Sequence, residues 1–212
     1  MNNIIDGKIV TVPEIATIEE IKDEIQDVKT FYLKFDNPEV EKNFKIKSGQ
    51  FVMLTVFGAG ESAISLPPSP ENDRFHLSVR KVGKVTDALH ALQVGDKVGI
   101  RGPFGNGFPF EEIKGKNIIY VAGGIGLIPL RSSIVHALQH RNEFGRIIVL
   151  LGARTPKDLM YQYNIEEWLK IPGFECYVTV DQPTDGWTGH TGVVNSLIDK
   201  ANIPVENTVA FV

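Results

Sequence analysis

The chain has 212 residues, 42% of them hydrophobic and 23% charged, with a formal net charge of −4. This is ordinary globular composition, long enough for one large or two modest domains, and its acidity argues against a nucleic-acid footprint. No apolar run approaches the ~18 residues that span a bilayer, and no charged-then-apolar signal pattern opens the chain. A cytoplasmic protein without membrane insertion is expected. Cys176 is the single cysteine, which excludes an internal disulfide and an iron–sulfur cluster held by this chain alone. Set in the apolar run Cys176-Tyr177-Val178, it reads as a buried structural thiol.

Over the first ~110 residues, apolar residues alternate between turn signals, which is the period of β structure. Strands are expected at 18–25, 30–35, 51–57, 64–66, 75–82 and 97–101. In 30–35, Phe31, Leu33 and Phe35 share a face; in 75–82, Phe75, Leu77 and Val79 face one way and His76, Ser78 and Arg80 the other. Many short strands punctuated by Gly and Pro favour a small antiparallel barrel. Arg80-Lys81-Val82-Gly83-Lys84-Val85-Thr86-Asp87 leaves its strand with two cations, turns at Gly83 and starts a helix with Thr86 as N-cap. A helix N-terminus beside Arg80 is either a phosphate site or an ordinary cap on a solvated strand end. Gly102-Pro103-Phe104-Gly105-Asn106-Gly107-Phe108 reads as a tight loop whose backbone must approach something closely.

Near residues 111–115 the rhythm changes. Strands at 118–122, 147–151, 176–180 and 208–212 alternate with helical patterns, the last two at 157–168 and 193–200. The first helix carries Leu127, Leu130, Ile134 and Leu138 on one face. Such alternation implies βαβ crossovers and a parallel sheet. The expected division is an antiparallel β-barrel over 1–112 and a parallel, Rossmann-like α/β domain over 113–212. Between the strand at 118–122 and its helix lie Gly123, Gly124 and Gly126. Amides left bare there, at the positive end of the helix dipole, suit an anionic phosphate. The usual dinucleotide fingerprint has glycine where this chain has Pro129, so the turn alone is either a phosphate site or a plain connection. His136 and His140, four apart, lack the glutamate of a zinc-protease helix and read as a solvated face. No metal site is expected, and no serine sits in a hydrolase elbow.

A set of motifs then runs in order. It comprises Gly49-Gln50-Phe51-Val52, Gly60-Glu61-Ser62-Ala63-Ile64-Ser65, Gly83-Lys84-Val85-Thr86 and the loop Gly102 to Phe108. It continues with Ala122-Gly123-Gly124-Ile125-Gly126-Leu127-Ile128-Pro129, Gly152-Ala153-Arg154 with Asp158-Leu159, and Gly186-Trp187-Thr188-Gly189-His190-Thr191-Gly192. Over nearly its whole length the chain resembles the ferredoxin–NADP reductase superfamily. Within it, the likeness is to the FAD/NAD(P)H electron-transfer subunits of anaerobic sulfite reductase, sulfhydrogenase and dihydroorotate dehydrogenase.

The resemblance implies FAD on the barrel and NAD or NADP on the second domain. The family's flavin-edge motif, Arg-x-Tyr-Ser/Thr, falls on Ser62, Ala63, Ile64 and Ser65. Ser65 takes the position beside flavin N5, where hydride arrives, while the motif's Arg and Tyr are absent. Arg80, Gly83, Lys84, Val85 and Thr86 fall on the FAD diphosphate turn. Gly123, Gly124, Ile125, Gly126, Leu127 and Pro129 fall on the nicotinamide-dinucleotide diphosphate loop, with Ile125 where Thr is usual. Arg154 stands where the adenosine ribose would lie; Asp181 either meets a hydroxyl or simply ends its strand. Trp187 either covers a ligand or pins its own loop.

Family members continue past the last strand with Cys-Gly-Pro-Pro, and the electron-transfer subunits add a cysteine-rich tail holding a [2Fe-2S] cluster. This chain stops at Val212 in an apolar run, so it is expected to be a piece of a longer protein whose cluster lies outside it. The implied activity is hydride transfer from NAD(P)H to FAD, then single electrons to an iron–sulfur or catalytic subunit of a larger redox complex. Two other readings are a non-catalytic assembly subunit and an FAD relay that does not use NAD(P).

Overall fold

A computed structural model describes residues 12–66, 74–184 and 186–212, together with the backbone of the short antiparallel strands β1 (Ile4–Ile5) and β2 (Lys8–Ile9). The chain forms two compact units, residues 1–108 and 109–212.

The first unit contains β3 (Glu14–Ile25), β4 (Val28–Phe35), α1 (Pro38–Asn43), β5 (Phe51–Val56), β6 (Gly60–Ser65), β7 (His76–Arg80), α2 (Lys84–Ala91) and β8 (Lys97–Phe104). The strands form one antiparallel six-stranded sheet in the order β6-β5-β8-β3-β4-β7. Strand twist curls it until the two edge strands, β6 and β7, approach each other. Alternate residues of each strand point inward, so Ile18, Phe31, Leu33, Phe35, Val52, Leu54, Ile64, Leu77 and Val98 fill a single core. α2 lies against β5 and β6 and closes that core with Leu89.

The second unit contains β9 (Asn117–Gly123), α3 (Leu127–Gln139), β10 (Ile147–Ala153), α4 (Gln162–Trp168), β11 (Phe174–Val180), β12 (His190–Thr191) and β13 (Thr208–Phe211). Its sheet is parallel, in the order β12-β11-β10-β9-β13. β10 is buried at every position, as a strand covered on both faces must be. On one face Tyr120 bonds to Ser133 of α3 through their hydroxyls at 2.8 Å; on the other, Ile119, Ile148 and Leu150 pack against Leu197 and Ala201. β10 lies on one side of β9 and β13 on the other, so the strand order reverses at β9. Ligands of open parallel sheets bind at such a switch point, beyond the strands' C-terminal ends.

Several elements differ from expectation, each for a local reason. The unit boundary falls before 112/113 because Phe110, in the 3-10 turn Phe110–Ile113, packs against His136 and Phe144 of the second unit. α1 was not expected, although its signals are in the sequence: Asn37 Oδ1 accepts from Glu39 N at 3.0 Å and Pro38 opens the helix. β6 begins at Gly60, four residues earlier than the expected 64, because it zips onto β5 as a hairpin from Val56↔Gly60 to Phe51↔Ser65. His76 and Ser78, on the second face of β7, are buried: the His76 ring lies tilted against Tyr32 at 5.2 Å, and the Ser78 hydroxyl meets that of Thr30 at 2.8 Å.

The expected helix 157–168 is broken in two. Asp158 Oδ2 accepts from the amide and hydroxyl of Thr155, closing the 3-10 turn Pro156–Asp158. Tyr161 then adopts a left-handed φ of 55° that buries its ring beneath the Arg131 guanidinium, 4.6 Å away. The expected helix 193–200 shrinks to the 3-10 turn Val194–Leu197, where both the amide and the hydroxyl of Ser196 donate to Val193 O.

His136 is not a solvated face residue. It is stacked between Phe110 at 4.0 Å and His140 at 4.3 Å, and among the described residues no cluster could hold a metal. Burial, then the neighbouring His140, lowers its pKa below 6.5, with Glu143 and Glu111 opposing. The unfolded chain therefore takes this proton first as pH falls through 6.5, so the stability present above that pH is lost below it. Between about pH 7.5 and about 5.5 the melting temperature of the native chain should fall more than that of His136→Phe, which keeps the stack without the titration. Equal falls in thermal melts of the two would refute this account of the stack.

Candidate functional site: two backbone cradles

The first cradle is the start of α2. Gly83 is its N-cap, and Asp87 N bonds to Gly83 O at 2.7 Å, which leaves the amides of Lys84, Val85 and Thr86 without intrahelical acceptors. Thr86 is not the N-cap expected from sequence. It stands at the third helical position, and its hydroxyl accepts from Val82 N and Gly83 N and donates to Gly83 O, all at 2.9–3.0 Å. Its side chain therefore shapes the turn, and only its backbone remains available. Arg80, at the end of β7, donates from Nε to Asp27 Oδ2 at 2.6 Å. Lys81 and Lys84 are exposed and carry no ion pair among the described residues, so this helix start is rimmed by cations.

Beside it runs the sheet edge β6. A Cβ on Gly60, at the start of β6, would lie 3.5 Å from the Val85 side chain, so the edge strand and the helix start are adjacent. Ile64 turns into the core and is 9% exposed, which removes its side chain from any ligand face. Ala63 and Ser65 point the other way. The hydroxyls of Ser62 and Ser65 have no hydrogen-bond partner among the described residues. Glu61 is held instead by Arg101, bidentate at 2.7 and 3.0 Å, and by Thr55; the Arg101 bonds chiefly keep its carboxyl below the usual range.

The second cradle is the β9–α3 turn. Gly123 ends β9, Gly124–Gly126 form one 3-10 turn with Gly124 at φ 52°, and Leu127 starts α3. Leu127 is fully buried and its amide already donates to Gly124 O and Ile125 O, so it offers nothing to a ligand. The Gly124 amide is taken into the β9–β10 ladder at the Gly123↔Gly152 pair, whereas the amide of Ile125 precedes the first intrahelical bond and stays open. Pro129 sits in the first turn of α3, where a missing N–H costs little.

Glycine is normally demanded either by a positive φ or by a crowding neighbour. Gly83, Gly123 and Gly126 meet neither demand. Their φ angles are −176°, −98° and −57°, and a Cβ added to any of them meets no atom within 4 Å. These three positions are bare toward open space at two helix starts. That fits a diphosphate group, which must approach backbone amides closely.

Arg154 and Asp181 follow β10 and β11 at the same C-terminal rim. Both are exposed, and Arg154 forms no ion pair or side-chain hydrogen bond among the described residues. Asp181 N bonds to Ala153 O at 3.0 Å, which ties the two strand ends together. Trp187 pins its loop: Nε1 donates to His190 O at 2.9 Å and the indole fills the space a Cβ at Gly189 would need. Cys176 is half-buried, and desolvation pushes its thiol up to about 12, so it stays protonated at neutral pH. Sequence reasoning missed Asp27 as the Arg80 partner, because a cross-strand pair between distant residues leaves no local pattern. Among the described residues no helix is long and apolar enough to cross a membrane.

Comparison with known proteins identifies the domains in which the two helix starts lie. Residues 16–108 match the oxidoreductase FAD-binding domain and residues 120–212 the oxidoreductase NAD-binding domain. The first cradle lies within the former and the second within the latter, so the class is an FAD- and NAD-binding oxidoreductase. The chain is 36% identical over 209 residues to sulfhydrogenase 2 subunit gamma of Pyrococcus furiosus, covering 93% of this chain and 72% of that one. Sulfhydrogenase 1 subunit gamma of the same organism is 36% identical over 187 residues, covering 87% of this chain and 64% of that subunit. The chain belongs to the family of flavin- and nicotinamide-binding electron-transfer subunits that includes these gamma subunits. The Amycolatopsis cytochrome P450 reductase GcoB shares the fold, with a TM-score of 0.76 at 24% identity over 94% of this chain and 60% of that one.

Because Gly126 has helical angles and an open Cβ direction, Gly126→Ala should leave the melting temperature unchanged or slightly raised. The same change should weaken NADH or NADPH binding about tenfold, by holding the diphosphate off the backbone. Calorimetry showing unaltered nucleotide affinity in the variant would remove this turn from the site.

Proposed function

We propose that this chain is the NAD(P)H-oxidising flavin subunit of a larger redox complex, working in the cytoplasm. The observation that carries the reading is the pair of bare-glycine helix starts, one in each unit. FAD held there would supply a two-electron acceptor for the nicotinamide hydride and a one-electron donor toward an iron–sulfur centre. The residues supply position and electrostatics.

The amides of Lys84 to Thr86, with Lys84 and Arg80 beside them, hold the FAD diphosphate. The Ser65 hydroxyl, without a partner among the described residues, stands at the β6 edge to hydrogen-bond beside flavin N5. The Ile125 amide, set in the bare backbone of Gly123 to Gly126, holds the nicotinamide dinucleotide, and Arg154 and Asp181 frame its adenosine end. With one cysteine, this chain does not itself ligate a cluster; the acceptor is an iron–sulfur partner or a segment outside the 212 residues. The gamma-subunit names of its relatives support a place in a multisubunit assembly.

An anaerobic visible spectrum of the FAD-loaded chain, recorded before and after addition of NADH or NADPH, tests the reading. Bleaching of the flavin bands is expected with at least one nucleotide. A folded chain that binds no FAD would sink the proposal, and a yellow chain indifferent to both nucleotides would reduce it to a relay. In stopped-flow, Ser65→Ala should slow flavin reduction about tenfold while FAD stays bound; unchanged kinetics would take Ser65 off the list.

A further inference from the structure

The β6 edge strand carries no aromatic residue, and its Ile64 faces the core. A ring pair nonetheless stands beside Ser65, contributed by other strands. Phe51 of β5 is directly opposite Ser65 in the β5–β6 ladder and directly opposite Phe104 in the β5–β8 ladder. Residues opposite one another across antiparallel strands share a face. Ser65, Phe51 and Phe104 therefore form one row across the outer face of the sheet, at its β6 edge. The two rings lie 5.6 Å apart, and Phe51 is still 36% exposed although it sits mid-row.

This pair is held by unusually close backbone packing. A Cβ on Gly49 would come within 2.7 Å of the Phe108 ring, and one on Gly107 within 2.9 Å of Ser48 O. Phe108 N donates to Ser48 O at 2.8 Å. Gln50 spans the two segments: its Nε2 donates to Gly105 O at 2.9 Å and its Oε1 accepts from Lys47 N at 2.7 Å. The close approach expected of the Gly102–Phe108 loop is thus to residues 47–51, and it fixes where Phe51 points. A rigid, half-exposed ring costs little entropy to bind a flat ligand.

We propose that Phe51, backed by Phe104, is the ring that packs against the isoalloxazine of FAD beside Ser65, and that Gln50 is its positioning residue. The inference rests on the FAD reading of the β6 edge. It moves the aromatic contact from the flavin-edge strand, where the chain has Ile64, to the neighbouring strand.

The test is FAD titration into the full 212-residue chain and its Phe51→Leu, Phe51→Tyr and Phe51→Trp variants, reading affinity, bound-flavin fluorescence and melting temperature. Phe51→Leu should weaken FAD about tenfold, and Phe51→Tyr should restore the native affinity. An indole touching a flavin quenches it by electron donation, so FAD bound to Phe51→Trp should lose most of the emission seen in the native chain. Adding Gln50→Ala to Phe51→Trp should return part of that emission, because the ring is no longer aimed; a loss of stability alone would not do so. Native affinity in Phe51→Leu, or native emission in Phe51→Trp, would overturn the proposal while leaving the FAD reading intact. Should Phe51→Leu fail to fold, the Phe51→Trp emission decides. A native chain that binds no FAD would overturn both.

Discussion

Backbone amides with no internal partner, gathered where a helix begins, are the feature on which the rest of this structure depends. At the start of α2 and again at the start of α3, the turn carries glycines, Gly83 in one and Gly123 and Gly126 in the other, that neither a positive φ nor a crowding neighbour requires. Such a turn sacrifices packing and raises the entropy lost on folding. It persists because everything around it is rigid. Thr86 locks the first turn with three hydrogen bonds, while Leu127, buried at the foot of α3, anchors the second. The curled sheet and the parallel sheet are two different ways of holding one device, a fixed positive helix end aimed at open space.

The chemistry follows from that economy. Hydride transfer between two bound cofactors needs no nucleophile and no general acid from the protein. Consistent with this, groups whose pKa values are shifted lie in structural roles. Tyr120 is raised by burial and tied to Ser133, Cys176 is protonated inside β11, and Glu61 is clamped by Arg101. Among the described residues, the groups left to offer a ligand are mainly the main chain, the hydroxyls of Ser62 and Ser65 and a few exposed cations.

Much of this was legible in the residues. The period-two alternation of Phe31, Leu33 and Phe35 gave the core face of β4, and residues 147–151 read as a strand of the parallel sheet, although its burial at every position showed only in the structure. The glycine turn before α3 was visible because strand, turn and helix are consecutive. What sequence could not show were contacts between segments far apart in the chain. The Gly102–Phe108 loop announced a close approach without naming residues 47–51 as what it approaches. Ile64 was legible as a departure from a flavin-edge motif, but its burial, and the Phe51–Phe104 pair beside Ser65, depend on the register of three strands. The helices at 157–168 and 193–200 failed where side chains outbid the helix: Asp158 and Thr155 in one, Ser196 in the other. Thr86 was a good N-cap type in the wrong place, because a glycine can cap a helix while a threonine three residues on bonds back to it.

The central claim is that each helix start binds its own cofactor through main-chain amides. Amide hydrogen exchange, measured on the apo chain, with FAD, and with FAD plus an unreactive oxidised nicotinamide dinucleotide, tests it most directly. The account predicts that FAD protects Lys84 to Thr86 and the Ser62 to Ser65 edge, and that the dinucleotide then protects Ile125. Exchange at those amides that is unchanged by either ligand, in a chain shown to bind both, would contradict it.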